Sequence, residues 1–185
     1  LEELVSLCPS PSATIAAAGD TFGFTHGLGA ATSGLVPLRD GAYIQFYRGG
    51  QIYWTAKFGA HASRDGIHGA YGAQKWENDP WVSRPLMKRP KTIGGIRGAL
   101  QTYENGQIRW ISQSGAHPIR GKILKRYEIA ETEEAAGLPL NDEMKDATDG
   151  GAYQHFTGGS IYFHPRTGAP RVTDGIRNLW WEGQG

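Results

Sequence analysis

Three side chains stand at the same place in three similar stretches of this sequence: Tyr53 in GGQIYWTAKFGAH (residues 49–61), Arg109 in NGQIRWISQSGAH (105–117) and Tyr162 in GGSIYFHPRTGAP (158–170). Flat rings and a guanidinium repeated along a chain suit the binding of a sugar polymer. An aromatic face covers the apolar C–H face of a pyranose or furanose, while polar neighbours bond its hydroxyls. Each of the three lies between an isoleucine and a large ring: Ile52 and Trp54, Ile108 and Trp110, Ile161 and Phe163. On a strand the flanking pair shares one face and the middle residue points to the other. The pairs are therefore expected in the core, with Tyr53, Arg109 and Tyr162 on the face open to ligand. The competing reading is an exposed hairpin residue packed on its neighbour.

His61 and His117 invite a catalytic or metal role until their place is compared. Both close a Gly-Ala-His turn, and a duplicated histidine points first to a hydrogen bond that fixes that turn. They stay, with Trp81, among the candidate ligand contacts. No catalytic residue is expected. The chain has no Gly-x-Ser-x-Gly nucleophile elbow, no His-Glu-x-x-His, and no Walker or dinucleotide glycine signature following a strand. Asp142, Glu143, Asp146 and Asp149 crowd one linker without the spacing of an EF-hand loop, so no metal and no cofactor is assigned.

The three isoleucines are a little over fifty residues apart, which sets the length of the unit that must position these groups. Each copy opens with an apolar residue and a ring three positions on (Ile44 and Tyr47, Leu100 and Tyr103, Tyr153 and Phe156), followed by Gly50, Gly106 or Gly159. The glycine, with Gly49, Asn105 or Gly158 ahead of it, predicts a tight β-hairpin with a positive φ at its turn. After the Gly-Ala-His turn an Ile and a ring four residues on (Ile67 and Tyr71, Ile123 and Tyr127, Ile176 and Trp180) predict a short amphipathic helix, the second closed by Gly137. The expected fold is α+β: three tandem β-hairpin–helix repeats packed around a pseudo-symmetric centre. Residues 1–28 form an N-terminal arm or partial repeat, and 29–185 hold copies at about 29–80, 81–136 and 137–185.

Composition agrees with one turn-rich domain. The 185 residues include 27 Gly and 10 Pro, with six Trp and eight Tyr. A formal net charge of +1 lacks the basic footprint of a nucleic-acid partner. No apolar run reaches the roughly 18 residues of a membrane span, so no membrane insertion is expected. The first twenty residues lack the basic start of an intact signal peptide, and the chain is expected to begin partway along a longer product. The lone Cys8 closes no internal disulfide.

The order of a Leu-Gly turn, Tyr-x-x-Phe-x-Gly-Gly-x-Ile-Tyr-Trp, Gly-Ala-His and Ile-x-x-x-Trp resembles the LGFP repeat of actinobacterial cell-envelope proteins. The third copy, GLPLNDEMKDATDGGAYQHFTGGSIYFHPRTGAPRVTDGIRNLWW, is closest, and the likeness runs from about Gly29 to the C-terminus. The literal LGFP string is absent, the second linker (SRPLMK) lacks the Leu-Gly, and Pro170 replaces the repeated His. Such repeats trail mycoloyltransferases, esterases and amidases. The resemblance implies a secreted, non-catalytic module that holds its protein to the arabinogalactan and peptidoglycan layer. The alternative is a protein-binding repeat scaffold, an inhibitor or effector, whose charged linkers form the interface with Trp81 as anchor.

Overall fold

The computed structural model describes residues 10–26, 28–73, 85–93, 95–145, 150–173 and 175–176. The chain is α+β. In order it forms α1 (Pro11–His26), β1 (Val36–Pro37), β2 (Tyr43–Tyr47), β3 (Gly50–Thr55), β4 (Gly59–Arg64), α2 (Asp65–Ala73), β5 (Pro85–Ile93), β6 (Ile96–Tyr103), β7 (Gly106–Ile111), β8 (Gly115–Arg120), α3 (Gly121–Tyr127), α4 (Ala130–Ala136), β9 (Met144–Lys145), β10 (Ala152–Phe156), β11 (Gly159–Phe163) and β12 (Arg171–Val172). The strands make three four-stranded antiparallel sheets, each in simple sequence order. Two compact units hold them, residues 1–65 and 66–185. No described helix is long and apolar enough to cross a membrane.

The hairpins fall where the spacing places them, with Tyr47 opposite Gly50 and Phe156 opposite Gly159 across two-residue loops. The glycine after the loop has a different task from the one expected. Gly50 and Gly159 take φ values of 155° and 139°, and a Cβ on either would run into the backbone carbonyl of Ser63 or Val172 on the next strand. Close approach of a third strand, rather than the turn itself, demands glycine here.

That third strand corrects the expected hairpin–turn–helix unit. The Gly-Ala-His segments are not turns leading to a helix. They begin β4 and β8, which pair with β3 and β7 along their length, Ile52 opposite Ala62 and Ile108 opposite Pro118. Gly59, Gly115 and Gly168 end three-residue loops at φ 75°, 88° and 79°, the left-handed position such loops require.

In the unit 1–65, α1 lies on β3 and β4. Its small residues let the backbone come close, and Ile15 joins Leu28, Ile52 and Ala62 in a buried core edged by Tyr43, Tyr47 and Trp54. The Leu28-Gly29 turn then docks on the hairpin tip. Gly49 N–H donates to Leu28 O at 2.8 Å, Arg48 N–H to Ala30 O at 3.1 Å, and Gln45 Nε2 to Ser33 O at 3.0 Å.

In the unit 66–185 the same docking recurs after Gly137, which closes α4. Gly158 N–H donates to Ala136 O at 2.8 Å, Thr157 N–H to Leu138 O at 2.8 Å, and Gln154 Nε2 to Asn141 O at 2.8 Å. The second copy lacks the Leu-Gly signature, and there β5 instead pairs with β6 from Pro85–Tyr103 to Ile93–Ile96. Helix α3 is shared. It packs against β7 and β8 on one side and β11 on the other. Tyr127 has the Arg109 guanidinium 4.8 Å over its ring and stacks on Phe156 at 5.0 Å. Ile119, Ile123, Leu124, Ala136 and Ile161 complete that core.

Candidate functional site

The sheet β5–β8 carries α2 on one face, with Tyr71 against Tyr103, and α3 on the other, with Tyr127 against Arg109, so neither face of it is free. Tyr53 and Arg109 are buried, at 2 % and 3 % exposure, which corrects their expected place on an open face. Gln51 Nε2 donates to the Tyr53 hydroxyl at 2.6 Å. Arg109 donates to Gln107 Oε1 at 3.1 Å and to Glu133 Oε1 at 2.5 Å, a pair that links β7 to α4. Tyr162 is half-buried and stacks on Tyr153 at 5.5 Å.

The rings expected in the core are the ones that reach solvent. Trp110 is 36 % exposed, and Trp54 and Phe163 are half-buried. The reason lies in register. Each ring sits near the end of its strand, past the buried isoleucine, where the helix preceding that sheet covers it only in part. Gly66, at the start of α2, lies so close to Trp110 that a Cβ there would be 2.7 Å from the indole Cδ1.

The third ring, Phe163, opens into a groove of about 520 Å³. Lys122, Ile123 and Lys125 of α3 form one wall, with Arg120 just before it, and Glu143, Lys145 and Ala152 the other. A second, more open hollow shares Lys122, Lys125 and Phe163 and continues past Arg126 to Pro165 and Pro170. Glu143 lies 3.7 Å from Arg120 across the first groove. Sequence reasoning placed Lys145 only in a charged linker of the alternative reading and Arg120, Lys122 and Lys125 in no site. The signal available was their spacing, since Lys122 and Lys125 flank Ile123 on the helix rim beside the third ring.

Both repeated histidines are tied into their turns. His61 Nε2 donates to Phe58 O at 2.6 Å, and His117 Nε2 to Ser114 O at 2.8 Å. Burial holds the His61 imidazole below its ordinary 6.5, partly offset by that carbonyl bond. His117 Nδ1 lies 2.7 Å from Asp142 Oδ1, which joins β8 to the loop after α4. Burial pushes the Tyr127 phenol well above its usual range, against the opposing pull of Arg109, and its hydroxyl donates to Gly137 O at 2.5 Å. Trp81, Cys8, Asp146 and Asp149 lie outside the described residues. Among those described, no three His, Cys, Asp or Glu side chains gather as a metal would require.

Compared with known proteins, residues 28–79, 90–134 and 137–185 each match the family model described as LGFP repeat. No curated protein matches the chain.

Proposed function

The chain belongs to the LGFP repeat family, and on that premise we propose that it is a non-catalytic module that binds cell-wall polysaccharide and anchors a secreted protein to the envelope. The observation that carries the reading is the ring at one position of each copy, Trp54, Trp110 and Phe163, left partly open beside a helix. A ring set at the rim of a groove can cover the C–H face of a sugar, and nearby lysines and arginines can bond its hydroxyls. Shallow sites of this kind bind weakly, in the mM range or about 4 kcal/mol each, and repetition turns weak contacts into retention on a polymer. The proposal places the protein outside the cell and assigns the repeated histidines to scaffold. The pseudo-symmetric packing of copies belongs to the same reading, since it would give the three rings similar settings.

The test is retention on insoluble wall. The whole chain is mixed with mycolated or delipidated actinobacterial wall, washed, and the bound fraction measured. Retention of the parent and its loss in a Trp110→Ala, Phe163→Ala double variant that still melts cooperatively support the reading. No retention of the parent on either material rejects it. Sugar-independent co-purification of a single protein would move the assignment to the alternative, a protein-binding scaffold.

A further inference from the structure

The helices beside the three rings are not alike in charge. Ile15, Ile67 and Ile123 are the buried isoleucines of α1, α2 and α3, and they put the three helices in register. The residue before each is Thr14, Gly66 or Lys122. Two residues after each stands Ala17, Gly69 or Lys125, and three after, Ala18, Ala70 or Arg126. The helix positions beside Trp54 and Trp110 are thus small and uncharged, while those beside Phe163 carry three cations. Across the groove stands Lys145, and Arg120 adds to the α3 wall. Glu143 is the one carboxylate among the described lining residues, and it lies against Arg120.

We propose that the groove at Phe163 is a binding site for an acidic glycan, a sugar chain bearing a carboxylate or phosphodiester beside the ring it presents to Phe163. This rests on the polysaccharide-binding reading and adds selectivity to it. A neutral sugar needs the ring and a few donors. It does not need Lys122, Lys125 and Lys145 held around one hollow, where their mutual repulsion is relieved by an anion. Lys122 and Lys125 are exposed at the rim, so their attraction for that anion is partly screened, and binding falls as salt shortens the Debye length from about 14 Å to about 5 Å. The other two rings, beside uncharged helix positions, keep the module's affinity for uncharged polymer.

The experiment uses the whole chain and three soluble probes: a neutral arabinofuranose oligosaccharide, a galacturonate oligosaccharide carrying carboxylates, and a phosphodiester-linked oligosaccharide. Affinity is measured by calorimetry or NMR titration at about 50 mM and about 300 mM salt. At least one acidic probe is expected to bind about tenfold more tightly than the neutral one at low salt, with most of that advantage lost at high salt. The stronger of the two acidic probes identifies the anion. A Lys122→Gln, Lys125→Gln variant, both positions being exposed, is expected to bind acidic and neutral probes equally, with melting temperature unchanged. Equal binding of all probes by the parent, or a preference that survives in the variant, overturns the proposal. If the parent is retained on the wall in that case, the broader reading stands. If it is not, both fall together.

Discussion

A guanidinium taken almost wholly out of water persists only where its charge is answered, and Arg109 has Glu133, Gln107 and the Tyr127 ring around it. Removing one partner is worse than removing both. Glu133→Ala is expected to destabilise the fold by about 2 kcal/mol, discounted because Glu133 keeps some exposure, and Arg109→Met with Glu133→Leu should recover most of that loss. Urea denaturation of the single and double variants checks the order. His61 gives a pH signature. Its folded-state pKa lies below the ordinary 6.5, so the unfolded chain takes up the proton first as pH falls. Stability from this group is complete above about 6.5 and is lost as pH drops through the folded value. The urea midpoint should therefore decline between pH 7 and 5, less steeply in His61→Gln. Strand alternation alone put Tyr53 and Arg109 opposite the isoleucines, which is correct. It could not show that α3 would cover the face of Arg109, and there the expected exposure failed.

At the scale of elements, glycine separates two kinds of position. Gly159→Ala would force a methyl against the Val172 carbonyl and is expected to cost 2 kcal/mol or more, read as a lower melting temperature. Gly69 in α2 is exposed with open space where a Cβ would stand, so Gly69→Ala should stabilise by about 0.5–1 kcal/mol. The hairpins were legible because their signal is local: an Ile, a ring two residues on and a glycine at the turn. The strands β4 and β8 were not. GAHASR and GAHPIR carry few of the β-branched or aromatic residues that mark strands, and they are held by the pairing of Gln51 with Ser63 and Gln107 with Ile119 across the sheet. The middle copy's β5 was hidden for a similar reason, its Pro, Lys and Arg reading as linker.

Across the larger unit, one helix joins two sheets. A change in α3 should then be felt on both sides of it. Tyr127→Ala is expected to cost about 3–5 kcal/mol and to speed amide exchange in β7 and β11 together; loss of protection in one sheet alone would contradict the shared-helix arrangement. The sequence period gave copy boundaries near residues 80 and 136, yet α1 packs on the sheet that comes after it and α3 on the sheets both before and after it. Compactness divides the chain between Asp65 and Gly66, after the first residue of α2. Period is blind to this offset because it records what recurs and not what touches.

The offset sets the rules for any recombination of such chains. A splice made between Arg120 and Gly121 would part Arg109 from Glu133, and hybrids cut at that point should emerge insoluble.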